Sequence, residues 1–76
     1  MDYSSYTMAS LFAQLGLAND EMSIQRFSHQ HPLDNTTLLA DAPFWNSAQA
    51  EFIREQIWQD SDWVEVIDQL DLMLRR

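Results

Sequence analysis

Asp62-Trp63-Val64-Glu65-Val66-Ile67-Asp68-Gln69-Leu70-Asp71-Leu72-Met73-Leu74-Arg75 is the stretch whose periodicity decides the fold. Wound as a helix, it gathers Trp63, Val66, Ile67, Leu70, Met73 and Leu74 into an arc of about 120°, with Asp62, Glu65, Asp68 and Asp71 outside it. Arg75 and Arg76 stand at the negative end of the helix dipole, and Asp71 with Arg75 forms a favourable i, i+4 pair. The spacing predicts a helix over about 62–75, with Leu70 at the centre of its buried face. Val64 and Leu72 fall away from that face.

The same period recurs upstream. Asn46 three residues before Gln49 reads as a capping box, opening a helix over about 47–59. Ala50, Ile53, Ile57 and Trp58 form its apolar stripe, and Phe52 lies off it. Asp60-Ser61-Asp62 breaks and restarts the chain. Near the start, Met8, Leu11, Phe12 and Leu15 follow i, i+3, i+4, i+7 and predict a helix over about 6–15. Thr7 or Ser5 caps it, Gly16 takes the left-handed position beyond its end, and Leu17 packs back on Phe12. Asn19 and Asp20 open a further helix over about 20–30, with Ile24 and Phe27 inward and Met22 alongside. Pro32 stops it. Residues 32–45 read as an irregular connection that packs onto the core through Leu33, Leu38, Leu39, Phe44 and Trp45, with a 3₁₀ turn after Asp41. The fold class is all-α. It is a small bundle of four helices in one domain, 1–76, with the last two helices as a hairpin and the first two across it.

Composition bounds the function. A chain of 76 residues has room for one core, and 46% hydrophobic content with nine aromatic residues argues against disorder. No cysteine is present, which excludes a disulfide scaffold and a thiolate metal site. Twelve acids face four bases, all arginine, for a net charge of -8. Such a surface repels phosphate backbones and anionic membranes alike, so no direct nucleic-acid or membrane contact is expected. The first residues carry no basic, apolar leader, and no apolar run approaches the ~20 residues of a membrane span. A cytoplasmic location is the expectation.

The candidates for chemistry are few. His29-Gln30-His31 places two imidazoles about 200° apart on a helix, where a metal pair needs i, i+4; they read as polar residues at a fraying helix end. Asp60, Asp62, Glu65, Asp68 and Asp71 lack the alternation and central glycine of a calcium loop, and read as a solvated face. With one glycine in the chain there is no phosphate cradle, and no serine elbow is present. No enzyme, metal or cofactor is expected.

Four stretches taken together resemble a known family. Leu11-Phe12-Ala13-Gln14-Leu15-Gly16-Leu17, Leu39-Ala40-Asp41-Ala42-Pro43-Phe44-Trp45, Ala48-Gln49-Ala50-Glu51-Phe52-Ile53-Arg54-Glu55 and Asp62-Trp63-Val64-Glu65-Val66-Ile67-Asp68-Gln69-Leu70-Asp71 occur in that order. The chain resembles the small acidic bacterial proteins of the domain of unknown function 2789 family, over nearly its whole length. Leu39 to Trp45 is the most specific part. The resemblance implies a proteobacterial, cytosolic, stand-alone domain and carries over no functional residue. Asn46-Ser47 departs from it, since such proteins have Thr-Pro there; both pairs begin a helix.

The expected function is therefore that of a non-enzymatic protein-interaction module with an unknown protein partner. Self-association as a homodimer is expected through Phe52, Val64 and Leu72, large apolar residues off the core arcs of the last two helices. The alternative is an acidic DNA mimic that occupies a nucleic-acid-binding protein.

Overall fold

The computed structural model describes residues 6–75. Helix α1 spans Met8–Gln14. Thr7 is its cap: its hydroxyl accepts the Ser10 N–H at 3.1 Å, and the Ser10 hydroxyl accepts the Thr7 N–H at 2.8 Å. Because capping requires extended backbone at Thr7, the helix begins two residues later than expected. Ser5, the other candidate cap, and Arg76 lie outside the described residues. At the far end Gly16 has φ +74°. The Leu17 N–H then reaches Phe12 O at 2.9 Å and the Gly16 N–H reaches Ala13 O at 3.0 Å, the paired bonds of a Schellman turn.

Helix α2, Glu21–Gln30, is capped by Asp20, which accepts the Ser23 N–H at 3.1 Å and the Ser23 hydroxyl at 2.7 Å. Asn19 donates to Ala9 O at 3.1 Å and fixes this start against α1. Ile24 and Phe27 turn inward as expected, but Met22 is exposed. His31 leaves helical geometry just before Pro32. It does not fray: its ring stacks on Phe27 at 4.2 Å.

The connection packs onto the core as expected, with two corrections. Its 3₁₀ turn covers Leu39–Asp41, ahead of the predicted place. Ala42 precedes Pro43 and is held extended, so the turn has to finish before it. Leu39, Ala42 and Trp45 are buried, and the Trp45 indole N–H donates to Leu39 O at 2.8 Å, closing the segment on itself. Phe44 is half-buried. Leu38, expected to pack inward, is 70% exposed.

Helix α3, Ser47–Gln59, opens on the predicted box, with Asn46 Oδ1 accepting the Gln49 N–H at 2.8 Å and Gln49 Oε1 accepting the Asn46 N–H at 2.9 Å. The Gln49 amide also donates to Leu15 O at 2.8 Å, using a carbonyl left over at the end of α1. Asp60, at φ 53°, ends α3 with the bonding pattern seen at Gly16. The predicted apolar stripe of α3 needs correcting. Ile53 is fully buried and Phe52 packs partly against the core, whereas Ile57 is 47% and Trp58 86% exposed. Trp58 lies about 140° round the helix from Ile53, on the far side from the core.

Helix α4, Val64–Leu74, buries Val66, Ile67, Leu70 and Leu74 and packs against α1, α2 and α3. It is the central helix of the bundle. Its last turn is tied to the connection: the Leu33 N–H donates to Leu74 O at 2.9 Å, in a single parallel backbone bridge between Leu33 and Arg75. The Arg75 guanidinium donates to Asp34 O at 2.6 Å and Thr37 O at 3.1 Å while pairing with Asp71. The fold is all-α, with four α-helices around one core among the described residues.

Candidate functional site

The surface feature that stands out is a groove between α3, the 3₁₀ turn and the middle of α4. It encloses about 300 Å³, and Leu38, Ile57 and Ile67 supply apolar walls, with Asp41, Arg54, Asp68 and Asp71 among the polar groups that line it. Arg54 donates to Asp41 at 2.9 Å and to Ala40 O at 3.4 Å, which fixes α3 to the 3₁₀ turn along one wall. Arg54 also borders a shallower hollow with Glu51, Glu55 and Trp58, so the two depressions run on from each other along α3. Sequence reasoning assigned Leu38, Ile57 and Trp58 to the core and therefore missed this face.

Of the three residues expected to form a self-association surface, Phe52 and Val64 are each partly covered within the chain. Phe52 sets its ring edge-on to Trp63 at 6.1 Å, and Trp63 meets Tyr6 in the same way at 5.0 Å. Val64 is half-buried beside a shallow hollow that Asp60, Asp62, Glu65 and Asp68 also line. Leu72 alone of the three is fully in solvent, at 75% exposure.

An aromatic cluster joins α2 to the connection. Phe27 meets Phe12 and Phe44 edge-on at 5.4 and 5.7 Å, stacks on Trp45 at 5.6 Å, and carries His31 on its other side. His31 Nδ1 lies 3.0 Å from Phe27 O, so this imidazole caps a helix. Among the described residues no three His, Cys, Asp or Glu side chains converge where a metal ion would sit. Two carboxyls are held below the ordinary aspartate value. At Asp20 the cause is the hydroxyl and then the backbone N–H of Ser23; at Asp34 it is the Thr37 hydroxyl, then the Thr36 N–H. Both serve local turns.

The family model described as protein of unknown function (DUF2789) matches residues 1–74. The chain belongs to the DUF2789 family. A solved relative bears out the architecture: the solution NMR structure of a protein from Chromobacterium violaceum is 40% identical, with a TM-score of 0.82 over 97% of this chain and 94% of that one. None of the curated proteins compared with the chain matches it. No helix among the described residues is long and apolar enough to cross a membrane. The DUF2789 match spans every residue of the groove, Leu38 to Asp71 included.

Proposed function

We propose that this chain is a non-enzymatic protein-interaction module that engages its partner through the face built by α3, the 3₁₀ turn and α4. The observation that carries the reading is Trp58, a large ring standing almost wholly in water in the hollow that adjoins the groove, whose own walls carry the exposed Ile57 and Leu38. Removing each such side chain from water is worth about 1.5–3 kcal/mol, and tryptophan is enriched among the residues that dominate interface energies. The groove walls are largely apolar, and Arg54 and Asp41 neutralise each other, which suits recognition better than acid–base chemistry. A net charge of -8 disfavours nucleic acid or an anionic membrane and supports a protein partner, in keeping with the expected cytoplasmic location.

The test compares capture from native cytoplasm by the wild-type chain, by Ile57→Ser/Trp58→Ser and by Leu72→Ser, which removes an equally exposed leucine from outside the groove. A protein retained by the first and third and lost by the second supports the reading. Identical captures by all three, together with sedimentation as a monomer of unchanged mass, overturn it. A dimer abolished by Ile57→Ser/Trp58→Ser and kept by Leu72→Ser makes the partner a second copy.

A further inference from the structure

We infer that the occupant of the α3–α4 groove is a cationic amphipathic helix of another protein, an inference that rests on the reading of this face as an interaction surface. The apolar part is supplied by Leu38 and Ile57, which leave an open trough and not a closed cavity. From Glu51 to Trp58 the part of α3 that borders the trough and the adjoining hollow together runs for about 10 Å at 1.5 Å per residue. That is two turns of a helix laid alongside, the usual scale of a helix-in-groove contact.

The charge at the rim decides the sign of the occupant. Arg54 is held by Asp41 on one wall and Arg75 by Asp71 on the other. Glu51, Glu55 and Asp68 stand outside both pairs, and all three are exposed at the edges of the trough and the adjoining hollow. Glu51 and Glu55, four residues apart, share one side of α3. An incoming helix with leucine-like residues on one stripe and Lys or Arg on its flanks meets apolar wall and carboxylates together. A second copy of this chain brings no such helix. It has no lysine and four arginines against twelve acids, so two copies meet acid to acid.

The probe is a fluorescein-labelled peptide of leucine and lysine patterned as an amphipathic helix, with the same peptide carrying glutamate for lysine as its counterpart. Anisotropy titrations against the full chain at low salt are expected to give at least about ten-fold tighter binding of the lysine peptide, and raising the salt weakens it as the rim charges are screened. Leu38→Ser/Ile57→Ser, two exposed positions whose fold is checked by circular dichroism, is expected to weaken it about ten-fold. Asp68→Lys is expected to weaken it several-fold more than Glu21→Lys, which makes the same change in net charge outside the groove. Equal losses from those two variants, or binding indifferent to Leu38→Ser/Ile57→Ser, overturn the inference, because attraction would then belong to the whole acidic surface. Absence of lysine-peptide binding alongside a groove-dependent dimer overturns this inference and leaves the interaction face standing. Absence of both removes the two together.

Discussion

Trp45 shows how one side chain holds an irregular segment. Its ring lies 8% exposed within the Phe27 cluster, and its indole N–H meets the Leu39 carbonyl six residues back. Trp45→Phe keeps an aromatic ring and leaves the Leu39 carbonyl with the Ala42 N–H as its partner, so the expected cost is that of one hydrogen bond, about 0.5–1.5 kcal/mol by urea denaturation. An unchanged midpoint would show that the bond contributes nothing. Asp20 and Asp34 each contribute to the acid dependence expected of the fold. Their folded-state pKa values are depressed by hydrogen bonds to the ionised form, so their stabilisation is complete above the ordinary aspartate range near ~3.9 and is lost as pH falls through the lower folded values. Asp20→Asn keeps a good N-cap and cannot titrate. Its melting temperature is therefore expected to fall less steeply than the wild type's between about pH 6 and pH 2. Parallel curves for the two proteins would locate the acid sensitivity elsewhere.

Among the elements, the two left-handed helix ends make a natural comparison. Gly16 and Asp60 end α1 and α3 with the same pair of backbone bonds, one residue suited to positive φ and the other not. A Cβ at Gly16 would meet nothing within 4 Å, so Gly16→Ala isolates the backbone cost, expected at about 1–2 kcal/mol. Asp60→Gly is expected to cause no loss, since relief of the left-handed strain offsets the added chain entropy. Thermal melts of the two variants check both. The caps and the four helices were legible in the sequence because Thr7, Asp20, Asn46 and Gly16 act within a few residues of themselves. The inward face of α3 was not. Ile57 continues the Ile53 stripe by spacing, and only the position of the 3₁₀ turn and α4 leaves it at the edge of a trough. Leu38 was misread for the same reason: hydrophobicity says that a residue prefers burial, and tertiary packing decides whether it finds any. The candidate site is made of those exceptions, so the sequence alone pointed to Phe52, Val64 and Leu72 instead.

At the scale of the whole molecule, α4 is the helix on which the others rest. Leu70 is fully buried, and Leu70→Ala is expected to cost about 2–5 kcal/mol, much of the stability of a domain this small. Asp68→Ala, exposed at the groove, is expected to change stability by no more than about 0.5 kcal/mol. Comparable losses from both in denaturant melts would contradict the burial pattern of α4. Position in the chain adds something else, since α4 is the last of the four helices to be synthesised. While the ribosome is still working through α1, α2 and α3, the one helix that all three pack against is not yet made. At roughly 5–20 residues per second, the time from the first helix to the last is several seconds. Through that interval Phe12 and Phe27 have each other but not the helix that completes their cover in the folded chain. The core is therefore expected to close only once Val66 to Leu74 have emerged, with the bonds from Arg75 to the Asp34 and Thr37 carbonyls the last to become available in chain order.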